Sequence, residues 1–101
     1  MDKITLNINA NSKKNIEYYS KPENKKNFVS ILVTAYKMNG NNENEMVGEN
    51  GLKTVVQGCC TSLNLTEPDN DVYQKLINEG YHKLKPEELI TKFLDECQKK
   101  L

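Results

Sequence analysis

The side chains in this sequence best suited to nucleophilic or metal chemistry are a lone histidine, His82, and three cysteines, Cys59, Cys60 and Cys97. A thiolate beside an imidazole is the pairing of cysteine-based catalysis, and three thiols with one imidazole are the ligand types of a tetrahedral zinc site. Their spacing favours neither. Cys59 and Cys60 are adjacent, so on a helix they point ~100° apart, and no Cys-x-x-Cys knuckle is present. All three cysteines also fall on the apolar stripes of their segments, where a thiol behaves as a small hydrophobe. No Gly-x-Ser-x-Gly, P-loop, Gly-x-Gly-x-x-Gly or His-Glu-x-x-His motif accompanies them. The expectation is a non-enzymatic protein with no catalytic residue, no metal site and no cofactor. His82 follows Gly80 and Tyr81 in a connection between helices and reads as a surface or cap residue.

Charge and aromatic placement carry more information. Lys13, Lys14, Lys21, Lys25 and Lys26 lie near Tyr18, Tyr19 and Phe28, which interleaves cations with stacking rings as a nucleic-acid-binding surface does. Glu17 and Glu23 dilute that patch, and the chain contains no arginine, whose planar fork reads guanine and clamps phosphate. Glu43, Glu45 and Glu49 form an opposite cluster in an Asn-rich stretch and could present carboxylates to a basic groove on another protein. Glu67, Asp69 and Asp71 have a local explanation, since they suit the positive end of a helix dipole. Residues 1–37 hold seven Lys against three acids, +4, and residues 38–101 hold seven Lys against eleven, −4. Five tyrosines complete the inventory, about half of them expected in the core and the others free to anchor an interface.

These residues belong to a chain of 101 with fourteen lysines balancing fourteen acids, so no net charge selects a partner. That length allows one domain, residues 1–101, and excludes a deep cleft between lobes. The longest apolar run, Phe28 to Tyr36, is too short for a membrane span and is interrupted by Ser30 and Thr34. The first residues lack the apolar stretch of a secretory signal, and an odd number of cysteines argues for reduced thiols, which together suggest the cytoplasm. Fourteen Asn and fourteen Lys with no Arg and no Trp resemble the codon bias of an AT-rich genome.

Three segments of the second half read as amphipathic helices. Leu89, Ile90, Phe93, Leu94, Cys97 and Leu101 form one face behind Lys85-Pro86-Glu87-Glu88, with Glu88–Lys92, Asp95–Lys99 and Glu96–Lys100 spaced for ion pairs. Leu52, Val55, Val56, Cys59, Cys60 and Leu63 form another, with Asn50 as a candidate cap and Gly51 and Gly58 as weak points. Val72, Tyr73, Leu76 and Ile77 form a third, between Thr66-Glu67-Pro68-Asp69 and Gly80.

The first half reads differently. Ile4, Leu6 and Ile8 alternate with polar residues as in a half-buried strand, and residues 28–36 are rich in β-branched and aromatic side chains. A helical alternative for that second segment rests on a capping box at Ser20-Lys21-Pro22-Glu23 and a polar face of Asn27, Ser30, Thr34, Lys37 and Asn41. Strand propensity and an available partner at residues 4–8 favour the strand. Residues 10–27 fit either a short helix after Ser12 or a third strand, and Asn39 to Asn50 reads as a mobile loop.

The fold expected is α+β, a small antiparallel N-terminal sheet packed against two or three amphipathic C-terminal helices. The function expected is protein binding: a cytoplasmic regulator, adaptor or inhibitor, of the kind a phage or mobile element encodes, that occludes a surface of a larger protein. Candidate contact residues are Glu43, Glu45, Glu49, Tyr18, Tyr19, Lys13, Lys14, Lys25 and Lys26. A homodimer is a further expectation, and nucleic-acid binding through the Lys/Tyr-rich N-terminal part is the alternative.

Overall fold

The computed structural model describes residues 5–101, and they are all-helical: 71% helix and no strand. The helices are α1 (Ala10–Tyr19), α2 (Pro22–Met38), α3 (Gly48–Leu63), α4 (Asn70–Asn78) and α5 (Pro86–Lys99), with a single 3-10 turn at Tyr81–Lys83. The expected α+β architecture is therefore overturned, and the reason lies in the first half of the chain.

Residues 28–36 are helical, inside α2. Phe28 and Tyr36 are buried, with Leu32 between them and Val29 and Val33 beside them half-buried against the core. That is an i, i+4, i+8 face, which a strand would split between two sides. Pro22 at the first turn fixes φ for a helix start, and Glu23 meets the positive dipole end. The capping box does not form. Ser20 Oγ instead donates to Ile16 O at 2.6 Å, serving the end of α1. Residues 10–19 resolve to a helix capped by Asn9, whose side chain accepts from Ser12 N at 2.8 Å.

Of the proposed strand at residues 4–8, Ile4 lies outside the described residues. Leu6 and Ile8 are half-buried against the core while Thr5 and Asn7 face solvent, so the alternation in burial is real. It occurs in irregular chain lying on helices, with no partner strand among the described residues.

The second half follows its apolar periodicity. All six stripe residues of α3 are buried, as are Val72, Tyr73 and Leu76 of α4 and Leu89, Ile90, Phe93, Leu94 and Cys97 of α5. Leu101 lies beyond the end of α5 and is exposed. Asp69 caps α4 by accepting from Val72 N, and Gly80, at φ +86°, turns the chain out of it. At α5, Glu88 accepts from Lys85 N at 3.0 Å. Asn50 is not the cap of α3, because that helix begins earlier, at Gly48.

Helix α3 packs antiparallel to α2 through its two interior glycines. A Cβ on Gly58 would meet Leu32 Cδ2 at 3.4 Å, and one on Gly51 would stand 2.7 Å from the Tyr36 hydroxyl. The glycines that weaken α3 as an isolated helix thus let α2 approach it closely. The Asn39–Asn50 segment is anchored, with Val47 buried and its N–H donating to Leu84 O at 2.9 Å.

Candidate functional site

Helix α2 has two flanks. Its Pro22, Lys26, Val29, Val33 and Lys37 side faces α5, and together the helices line a groove of about 730 Å³. Val29, Val33 and Pro22 supply apolar surface. Lys25, Lys26 and Lys37 from α2, Glu87 from α5 and Glu43 from the following turn supply charges of both signs.

Part of that charge is already committed. Lys25 Nζ pairs with Asp95 Oδ1 of α5 at 2.5 Å, and Lys37 Nζ with Glu43 Oε1 at 3.2 Å. Asp95 is thereby diverted from the Lys99 pairing its spacing suggested, and Lys99 lies 3.4 Å from Glu96 instead. The hydroxyls of Thr34 and Thr91 bond back to the carbonyls of Ser30 and Glu87. Lys26 and Glu87 have no ion-pair partner among the described residues and remain at the groove edge.

The nine residues singled out in the sequence separate onto different surfaces. Lys25, Lys26 and Glu43 meet in the α2/α5 groove. Lys13, Lys14 and Tyr18 lie on α1 with Lys21 and Glu17 around a shallow hollow of about 500 Å³. Tyr18 is 55% exposed there, whereas Tyr19 is half-buried with its ring centroid 4.8 Å from that of Phe28. Glu49 falls in the first turn of α3, where the dipole favours it, and lines a hollow with Lys53, Tyr73 and Gln74. Glu45 is exposed in the connecting turn. The three loop glutamates do not form one acidic patch.

The three thiols are closed off from solvent. Cys59, Cys60 and Cys97 are 0–2% exposed. Burial pushes the Cys60 and Cys97 thiols up to about 12 and lifts Cys59 well above its ordinary value, with neighbouring acidic groups adding to the effect. Neither a cysteine nor His82 lines the grooves and hollows described above. His82 sits in the 3-10 turn, partly covered, with a buried Nδ1 that has no hydrogen-bond partner among the described residues. Among the described residues no three His, Cys, Asp or Glu side chains gather to hold a metal ion. Glu67 is occupied locally, accepting from Gln57 Nε2 at 2.7 Å and from the Tyr73 hydroxyl at 3.2 Å.

Sequence reasoning missed Val29, Val33, Lys37 and Glu87 as groove residues, because they become neighbours only once residues 22–38 are helical and cross α5. No helix is long and apolar enough to cross a membrane among the described residues. No family model, curated protein or solved structure matches this chain.

Proposed function

We propose that this is a small non-enzymatic protein-binding module, a regulator, adaptor or inhibitor that holds a segment of a larger protein in the α2/α5 groove and occludes it. The supporting observation is the groove itself: apolar Val29 and Val33 framed by Lys26 and Glu87, two charges of opposite sign without ion-pair partners among the described residues. An apolar centre with a polar rim is the anatomy of a protein interface. An amphipathic helix or extended segment would set its apolar side on the valines, a carboxylate toward Lys26 and a cation toward Glu87.

The test is quantitative affinity capture from host extract with the wild-type chain, the groove variants Val33→Lys and Lys26→Glu, and Glu45→Gln as a control outside the groove. The reading expects a protein retained by wild type and Glu45→Gln and lost from both groove variants. Capture indifferent to the groove variants would sink it.

A second reading has its own observation, the exposed Tyr18 ring among Lys13, Lys14 and Lys21. A ring and three cations suit stacking and phosphate contact with a single strand. It requires oligonucleotide affinity that falls steeply with salt and weakens in Lys13→Gln/Lys14→Gln, and a salt-independent signal would remove it.

A further inference from the structure

The other flank of α2, together with the later turns of α3, is unusual in lacking charge. The chain as a whole is 28% charged, yet residues 27–36 and 54–66 contain no Asp, Glu, Lys or Arg. These two stretches lie side by side, since α2 and α3 pack antiparallel through Leu32 on Gly58 and Tyr36 on Gly51. Of the charges next to them, Lys26 lines the α5 groove, Lys37 pairs with Glu43, Lys53 Nζ stands 5.9 Å from the centroid of the Tyr73 ring, and Glu67 accepts from Gln57 Nε2 and the Tyr73 hydroxyl.

Apolar groups stand out from this uncharged face. Ile31 is 67% exposed and Met38 82% exposed, one full heptad apart on α2 with exposed Ala35 between them. The other exposed positions in these stretches, such as Thr54, Thr61 and Ser62, are mostly small and uncharged. Beside the ridge runs a hollow of about 120 Å³ between the helices, lined by Leu32, Ala35, Thr54 and Gly58. A ridge and a hollow thus occupy one face.

We propose that this face is where two copies of the chain meet, with α2 and α3 of each against α2 and α3 of the other about a two-fold axis. A two-fold interface sets a surface against itself, so any charge near the axis meets its own copy, and residues 27–36 and 54–66 carry none. The chain's formal net charge is zero, so two copies do not repel at long range. The Ile31–Met38 ridge of one copy lies beside the hollow that receives the ridge of the other.

Area sets the strength. Residues 27–38 span about 18 Å of helix, and two packed helices are about 20 Å wide, which gives about 700 Å² of face over both copies. Stable complexes bury upward of ~1,200 Å², so the association is reversible and concentration-dependent. It uses the flank of α2 away from the α5 groove and stands independently of the groove's function.

The test is sedimentation equilibrium over a wide concentration range on the wild-type chain, the double variant Ile31→Glu/Met38→Glu and the groove variant Lys26→Glu, each checked for cooperative melting. Wild type and Lys26→Glu are expected to rise from 11.6 kDa toward twice that mass, and the double variant to dissociate at least about tenfold more readily. As a second measurement, an Ala35→Cys thiol treated with a short bis-maleimide is expected to give a covalent dimer, and Gln98→Cys on α5 none. A mass of 11.6 kDa at every concentration would overturn the proposal and leave the face to a different chain. Self-association unchanged in the double variant, or cross-linking no better at Ala35→Cys than at Gln98→Cys, would overturn it too.

Discussion

Gly51 of α3 lies directly beneath the Tyr36 hydroxyl of α2, so that a Cβ added there would be 2.7 Å from Oη and 3.0 Å from Val47 Cβ. Gly58, two turns on and also facing α2, leaves an ordinary 3.4 Å to Leu32 Cδ2. Replacing either glycine by alanine improves helix propensity by about 1 kcal/mol. At Gly58 that gain stands, and Gly58→Ala is expected to stabilise the protein by about 0.5–1 kcal/mol. At Gly51 the buried Tyr36 ring and Val47 must move, overpacking costs about 1–3 kcal/mol, and the net effect is destabilising. Urea denaturation of both variants measures the opposite signs, and Tyr36→Phe in the Gly51→Ala background recovers part of the loss.

Ser12 is the buried polar side chain among the described residues, and its hydroxyl ties α1 to the end of α3 by donating to Asn64 O at 2.5 Å. Asn64 is the C-cap of α3 in the left-handed conformation, φ +59°. Ser12→Ala leaves that carbonyl without this donor and is expected to lower stability by about 1–3 kcal/mol. Asn64→Gly keeps both the backbone angle and the carbonyl, so its denaturation midpoint should stay close to wild type. Equal losses in the two variants would contradict this account.

The three C-terminal helices were legible from their apolar stripes, and at α4 and α5 the end signals agreed: Thr66-Glu67-Pro68-Asp69 before α4, Gly80 as its stop, Pro86 at the first turn of α5; at α3 the stripe stood alone, since Asn50 is not its cap. Helix α2 was hidden by its own content. Val29, Ile31, Val33, Thr34 and Tyr36 favour a strand by propensity, and tertiary packing of Phe28, Leu32 and Tyr36 overrides that preference. Ile31 did most to blur the pattern, since an apolar residue on the wet face turns a helical stripe into an unbroken apolar run. The burial of the thiols followed from their stripes. The α2/α5 groove did not, because its walls are far apart in sequence: Pro22 to Lys37 on one side, Glu87 and Thr91 on the other.

The Lys25–Asp95 pair ties α2 to α5 with side chains 29% and 42% exposed. At such exposure, solvent and salt screen the attraction, and a surface pair contributes at most about 1 kcal/mol. Asp95→Asn is therefore expected to shift the thermal midpoint only slightly, with the difference from wild type narrowing as salt is added. A large, salt-insensitive loss would show that the pair holds α2 on α5.

The buried thiols make stability fall in alkali. Burial raises Cys60 and Cys97 to about 12, and Cys59 well above its ordinary value, against 9.0 for an exposed thiol. Tyr36 and Tyr73 are raised above 10.0 by the same cause, and Glu67 adds to the effect at Tyr73. Above about pH 9 the unfolded chain releases protons that the folded chain retains, so unfolding gains free energy as pH rises. The thiol contribution is complete below pH 9 and is lost as pH climbs toward 12. Urea midpoints should thus decline above about pH 9, with no change from these groups between about pH 6 and 8. At neutral pH the native protein should resist a thiol-specific chromogenic disulfide reagent until denaturant is added, when all three cysteines react. Prompt reaction of the native protein would place a sulfur within reach of solvent and reopen the case for thiol chemistry.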